Sequence, residues 1–499
     1  MAVVTINGIP HFAAQGTRLQ EALTGEHGFS MPCGGHGSCG KCRVKAQGKL
    51  SEPGQTERKF LSEEELAEGI RLACLAKVEG DCSVELTERE TAQVRVGGEM
   101  QPFSLSPAFT AYGAAIDIGT TTLAGCLYDA GGNMLSEAGC LNPQSRWGAD
   151  VISRIEAALG GAARDQAAAV RKGLDGLLAQ LAGKAGIETA DIDGLVITGN
   201  TAMLHLLTGE SVEPLSHAPF AVRRRFGETL PAAELGLESL GTDVPVFLPV
   251  CISAFVGADL VTAMMASGFR ERSGTHLLTD IGTNGEMALL HEGRLLVCST
   301  AAGPAFEGAG LSRGMQGTCG AIDKVTVRNG ELACHTIGEG EAAGICGSGV
   351  VDALACLLET GQIDETGYLE NNPAKLTGEV TFSQEDVRMV QLAKAAVHGG
   401  IRTLLHYAGI GCGEVSELLI AGGFGSYLDV DSAGKIGLIP REMAPAVRVI
   451  GNAALKGAAL LLLNGESRTA CRQYAECAEV IELSADPFFA EEYIERMLF

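Results

Sequence analysis

The apolar positions of the chain fall into short runs that end at glycine, and one such run occurs twice. Ala115-Ile-Asp117-Ile-Gly119-Thr120-Thr121-Thr122 returns 163 residues later as Leu278-Thr279-Asp280-Ile-Gly282-Thr283-Asn284-Gly285. Each copy sets an apolar strand ahead of an aspartate, then a glycine turn carrying hydroxyl or amide side chains, then a second apolar strand. Farther along, each copy is followed by another apolar strand that ends in small residues: Leu195-Val-Ile-Thr198-Gly199-Asn200 and Leu418-Leu-Ile-Ala421-Gly422-Gly423. The pattern predicts two related α/β halves, 112–270 and 271–499. Two Asp-x-Gly-Thr hairpins can face each other across a cleft, offering backbone N–H groups and hydroxyls to phosphates and carboxylates to a magnesium shell. This is a phosphate clamp without a Walker lysine. Asp117 and Asp280 are expected to organise the magnesium and the attacking water while the hairpin amides hold the nucleotide.

The first ninety residues follow a different pattern. Val3-Val4-Thr5-Ile6 with Asn7-Gly8 predicts a hairpin in a β-rich unit. Cys33, Cys39 and Cys42 then crowd into ten residues among glycines 34, 35, 37 and 40, and Cys74 follows in Arg71-Leu-Ala-Cys74. The spacing C-x5-C-x2-C-x31-C is close to the plant-type 2Fe-2S pattern, in which four thiolates surround two irons and glycine amides reach the sulfurs. Zinc sites favour two short-spaced pairs instead. Cys82 reads as a core thiol and His36 as a turn residue. Ser62-Glu-Glu-Glu65 has the form of a capping box. Residues 88–111 lose periodicity and gather Gly97-Gly98, Pro102 and Pro107, which predicts a linker over 91–111 able to act as a tether.

Composition narrows the function classes. The chain has 499 residues, enough for several domains, with 37 basic against 61 acidic residues and a formal net charge of -24, which repels phosphate backbones and anionic lipids. Neither nucleic acid nor membrane is an expected partner. The opening Met-Ala-Val-Val-Thr-Ile-Asn lacks a secretory pattern, and the longest weakly charged stretch, 244–258, contains Pro245 and Pro249, so a cytoplasmic protein is expected. In that compartment the 16 cysteines are metal ligands, catalytic thiols or buried small side chains. Cys471 and Cys477 read as helical, the run Ala453 to Ala459 as a helix with a close crossing, and Gly347-Ser-Gly349 as a helix N-terminus near the nucleotide.

Over nearly all of 112–465 the duplicated hairpins resemble the superfamily of acetate and sugar kinases, heat-shock ATPases and actin. The resemblance implies an actin-like (ribonuclease H-like) fold in which Gly119, Thr120, Thr121 and Thr122, with Gly282, Thr283 and Asn284, hold the phosphates of ATP with Mg²⁺. Gly422 and Gly423 then lie against the adenosine. The expected whole is an α/β duplicated ATPase preceded by a small α+β ferredoxin domain at 1–90. A ferredoxin ahead of such an ATPase, with Asn142 to Ile155, Ala302 to Gly308, Ile345 to Gly349 and Ile481-Glu-Leu-Ser, resembles the reductive activators of corrinoid proteins. The resemblance implies ATP-accompanied transfer of one electron from a 2Fe-2S cluster to an inactive Co(II) corrinoid protein of a methyltransferase or O-demethylase system, restoring Co(I). It further implies an upstream low-potential donor and a possible homodimer. Larger members carry a middle domain between ferredoxin and ATPase, where this chain is expected to have only the linker. The alternatives are a small-molecule kinase with an attached redox domain and a nucleotide-dependent redox sensor or chaperone.

Overall fold

The computed structural model describes residues 1–23, 35–37, 40–86, 97–338, 340–423 and 427–499. The chain forms two compact units, Met1–Thr91 with Pro143–Ala169, and Ala92–Asn142 with Val170–Phe499. Both halves of the duplicated pattern fall in the second unit, while 143–169, expected within the first half, groups with the first unit.

In the first unit, β1 (Ala2–Ile6) and β2 (Ile9–Ala13) form the expected hairpin. Its turn residues Asn7 and Gly8 take φ of 46° and 87°, the left-handed pair that a two-residue turn needs to match strand twist. With β3 (Arg43–Leu50), β4 (Ile70–Leu72) and β5 (Val78–Glu85) they make one sheet, ordered β2-β1-β5-β3-β4. Along β5 every second residue is buried, so Cys82 lies in the core beside Val84 as a packing thiol. Ser62 and Glu65 form the reciprocal capping box of helix Glu63–Ala67. In the other segment of this unit, Asp150 caps helix Val151–Ala157, and fully buried Arg154 donates to the Gly148 carbonyl at 3.1 Å. A Cβ on Gly148, whose φ is +147°, would come within 2.3 Å of Ser153 Cβ, so only glycine lets the chain turn into that helix.

The second unit repeats one sheet twice. β6 (Tyr112–Ile118), β7 (Thr122–Asp129) and β8 (Met134–Leu141) run antiparallel, and β9 (Ile192–Gly199) lies parallel to β6. β10 (Glu228–Pro231) and β11 (Pro245–Leu248) complete the order β10-β11-β9-β6-β7-β8. The second copy has β12 (His276–Ile281), β13 (Gly285–His291) and β14 (Arg294–Thr300) antiparallel. Strands β15 (Ala321–Arg328), β16 (Glu331–Thr336) and β17 (Gly344–Ile345) form a small sheet, and β18 (Ala374–Thr377) and β19 (Val380–Phe382) a hairpin. β20 (Glu417–Ala421), β21 (Val447–Gly451) and β22 (Ala478–Val480) then close the order β21-β20-β12-β13-β14-β22.

Period two sets which side chains meet. On β12, Leu277 and Ile281 join the core beneath helices Gly347–Glu359 and Gln384–Ala408, whereas Leu278 joins a core shared with Ala115 of β6. That shared core is filled by helices Ala258–Ala266 and Ala453–Leu463. Asp280 and Asp117 stand two residues beyond Leu278 and Ala115, on the same faces, so both aspartates emerge at the rim of the core common to the two sheets.

Residues 97–111, expected to belong to the tether, are instead bonded along this unit. Glu99 N–H donates to Ile450 O at 3.1 Å, Gln101 N–H to Ala266 O at 2.7 Å and Ala108 N–H to Leu462 O at 2.9 Å. Backbone donors lying against protein must find acceptors, and here the carbonyls at strand and helix ends supply them. Of the expected linker, 91–96 lies outside the described residues.

Candidate functional site

Between the two sheets of the second unit is a cleft of about 290 Å³, and every nucleotide-site residue expected from sequence lines it: Asp117, Gly119, Thr120, Thr121, Thr122, Asp280, Gly282, Thr283, Asn284, Gly422 and Gly423. The register explains why. Asp117 pairs with Thr198 of β9 and Asp280 with Ala421 of β20, so each aspartate sits one residue before its strand ends, beside the small-residue end of its parallel neighbour. Gly422, at φ +99°, lies so close to β12 that a Cβ would come within 2.8 Å of Asp280 Oδ1 and of Ile281 O. Gly423 has open space before it. The N-terminal turn of helix Gly347–Glu359 also reaches the cleft, through Gly347 and Ser348.

Residues that sequence reading passed over complete the site. Asn200 caps helix Thr201–Thr208 through Met203 N–H at 3.0 Å and donates to Thr120 Oγ1 at 3.3 Å. Asn452 caps helix Ala453–Leu463 through Leu455 N–H at 2.9 Å and donates to Asp117 Oδ2 at 3.4 Å. Both follow the terminal glycine of a parallel strand, so Gly199-Asn200 and Gly451-Asn452 are a legible signal in retrospect. Asp259, Glu286, Glu307 and Asp323 bring further carboxylates. Glu286 follows the second glycine turn directly and accepts from Gly257 N–H at 3.2 Å.

These acids perturb one another. Asp117 is pushed up to about 8, chiefly by burial and then by the charges of Asp259 and Asp280, against a lowering hydrogen bond from Asn452. Asp280 rises to about 7 through burial, Asp259 and Glu307. Burial raises Asp259 to about 6 and, with the Asp259 charge, drives Glu286 well above the carboxylate range.

The donor set fits a nucleotide accompanied by magnesium. Six carboxylates and no lysine or arginine stand among the described lining residues, so an anionic ligand needs its own cation. Magnesium keeps several waters and takes one or two carboxylates alongside phosphate oxygens, a demand that the lining carboxylates can meet.

In the first unit the structure brings together two of the expected cluster ligands. Cys42 directly precedes β3, and the pairing of Arg43 with Leu72 on β4 carries Cys74 to it. Both thiols are buried, Ala73 N–H donates to Cys42 O at 2.9 Å, and Cys74 N–H points to Cys42 Sγ at 3.5 Å. Glu57 fixes this strand, accepting from Arg71 along the single Nε–Nη2 edge of its guanidinium at 2.9 and 3.0 Å and from Leu72 N–H at 2.8 Å, all in buried surroundings. Gly35, Gly37 and Gly40 take φ of 85°, 72° and 64°, and a Cβ on Gly40 would fall within 2.6 Å of Phe60 Cδ1. The paired thiols and left-handed glycines fit a plant-type cluster loop. Cys33 and Cys39 lie outside the described residues.

Comparison with known proteins follows the same division. The 2Fe-2S iron-sulfur cluster binding domain matches residues 4–79, the RACo middle region 112–272, and the C-terminal domain of RACo, the ASKHA domain, 274–499. The middle-region match falls on the residues of the first six-stranded sheet. The corrinoid activation enzyme RamQ of Eubacterium limosum is 38% identical over 419 residues, covering 78% of this chain and 70% of that protein. The [Co(II) methylated amine-specific corrinoid protein] reductase of Methanosarcina barkeri is 29% identical over 307 residues, 56% of this chain and 57% of its own. A solved structure described as a reductive activator for corrinoid, iron-sulfur protein superposes with a TM-score of 0.74 at 26% identity, covering 100% of this chain and 98% of that one. The chain belongs to the family of reductive activators of corrinoid proteins.

Proposed function

We propose that ATP, bound with magnesium between the two hairpins, drives one-electron reduction of a Co(II) corrinoid protein to Co(I), the corrinoid protein serving a methyltransferase or O-demethylase system. The observation that carries this reading is that one chain joins a cysteine pair built as in plant-type ferredoxins to a cleft lined by both Asp-x-Gly-Thr hairpins. Cys33, Cys39, Cys42 and Cys74 would hold a 2Fe-2S cluster, which supplies a one-electron carrier near about -400 mV. An acceptor of lower potential needs a further energy source, and ATP supplies one by shifting an equilibrium that both sites bias.

Within the cleft, the amides and hydroxyls of 119–122 and 282–284 hold phosphate oxygens, and Gly422 and Gly423 face the adenosine. Asp117 and Asp280, which both line the cleft, would orient magnesium-bound and attacking water. Asn452 and Asn200 hold Asp117 and Thr120 through neutral donors.

The test is to mix chemically reduced protein with a Co(II) corrinoid protein, with and without Mg-ATP, and follow the corrinoid spectrum. Asp280→Ala should lose ATP hydrolysis and ATP-stimulated reduction while still binding nucleotide. Turnover at the wild-type rate in that variant would remove the assigned role. Phosphorylation of a small molecule independent of the cluster would favour a kinase instead.

A further inference from the structure

One carboxylate joins the two phosphate hairpins. Glu307 accepts a hydrogen bond from Thr121 Oγ1 of the first hairpin through Oε2, and from Thr283 Oγ1 of the second through Oε1 at 2.8 Å. These partners lie 186 and 24 positions away in the chain. Gly303 N–H donates to Thr283 O at 2.8 Å, and a Cβ on Gly282 would stand 3.3 Å from Glu307 Oε1, so the turn Pro304–Glu307 is seated on the second hairpin. The bond to Thr121 is therefore the part that crosses between the halves.

Each hydroxyl has a single proton to donate. While Thr121 and Thr283 give theirs to Glu307, neither can donate to a phosphate. Glu307 also sets a negative charge where an anion must enter, and no lysine or arginine among the described lining residues offsets it. The turn that carries it lies between Gly303 and Gly308, both left-handed at φ 78° and 73°. A Cβ on Gly308 would fall 2.1 Å from Met315 O, so a shift of the turn is passed to 315–318, which line the same cleft.

We propose that Glu307 is a positioning residue that ties the two hairpins together in the nucleotide-free protein and is displaced from Thr121 and Thr283 when nucleotide phosphates arrive. The inference rests on the reading of the cleft as the ATP site. Nucleotide binding then exchanges one cross-link between the halves for another, and the latch weakens nucleotide affinity by the cost of opening it.

The experiment uses the full chain with Glu307→Ala, and Glu307→Gln as a second variant that keeps one neutral acceptor. Hydrogen exchange is measured on the nucleotide-free proteins, and Mg-AMPPNP binding is measured by calorimetry. Removing two charge-assisted bonds should speed exchange of amides 119–122 and 282–285 about threefold or more in Glu307→Ala. The same change should tighten Mg-AMPPNP about five- to tenfold, with smaller shifts of both readouts in Glu307→Gln. Exchange unchanged in either hairpin, or an affinity that is unchanged or weakened, overturns the latch; a loss of affinity would make Glu307 part of the magnesium shell instead. If the wild-type protein itself takes up no nucleotide, the ATP-site reading fails, and the nucleotide-free exchange alone decides whether the cross-link exists. If Glu307→Ala does not fold, Glu307→Gln decides in the same direction.

Discussion

Gly457 is the position where the shared core leaves least room. It lies on helix Ala453–Leu463 against helix Ala258–Ala266, and a Cβ there would sit 1.9 Å from Thr262 O, 2.4 Å from Thr262 C and 2.7 Å from Thr262 Cα. All three are backbone atoms, so no rotamer change relieves the clash. Thr262 is itself fully buried and held by Ala258 O at 2.9 Å and Thr198 Oγ1 at 3.1 Å. In Gly457→Ala the helices must part by about 1 Å to restore van der Waals distance. Alanine gains about 1 kcal/mol of helix propensity, whereas overpacking a tight core costs about 1 to 3 kcal/mol, and a backbone obstacle places this site at or above the upper end. The net expectation is a loss of about 2 kcal/mol, or, at about 2.1 cal/mol/K of unfolding entropy per residue across a unit of this size, a fall in melting temperature of roughly 2 to 3 °C. The displacement also reaches the site. Asn452 caps one helix and touches Asp117 at 3.4 Å, already at the limit of a hydrogen bond, and Asp259 starts the other. Mg-AMPPNP affinity should therefore fall together with stability. Thermal melting followed by circular dichroism, with calorimetry of nucleotide binding, checks both. A variant that melts within a degree of wild type and binds nucleotide equally well would refute the reasoning, since helix propensity would then have outweighed the clash.

Other expectations concern the carboxylates and the thiols. Asp117 and Asp280 hold their protons in the folded chain up to about 8 and about 7, whereas in the unfolded chain they release them near about 4. Between those limits the unfolded state binds fewer protons, so their contribution to stability is present at low pH and is lost as pH rises toward 8. Asp117→Asn should accordingly raise the melting temperature of the nucleotide-free protein more at pH 8.5 than at pH 6, and parallel melting curves against pH would sink this. In the first unit, Cys74→Ala should lose the cluster, while Cys82→Ala should keep about two irons per chain. Iron and sulfide analysis of both variants decides, and an intact cluster spectrum in Cys74→Ala would end the assignment.

What the sequence determined by itself is whatever depends on neighbours in the chain. The Asn7-Gly8 hairpin, the Ser62 cap and the two Asp-x-Gly-Thr tips are local, because backbone angles at a turn are set by the residues that occupy it. The repeated order of strands is likewise legible, since two copies of one pattern must fold alike. From this came the residues expected to hold a nucleotide, and all eleven line one cleft. Cys42 and Cys74 were also legible through their spacing, although Glu57, which grips Arg71 and Leu72 beside them, carries no local mark of that role.

Tertiary structure alone decided the rest. Residues 97–111 read as a tether because backbone pairing with distant carbonyls leaves no trace in side-chain periodicity, yet Gln101 and Ala108 are bonded to helix ends far along the chain. Glu307 stands 186 residues from Thr121, and its meeting with both hairpins arises only when the two sheets close on their common core. The raised proton affinities of Asp117 and Asp280 have the same origin. An aspartate in a glycine turn is ordinary until burial and a second set of carboxylates, Asp259 and Glu307 among them, surround it, because desolvation and like charge act through space and not along the chain.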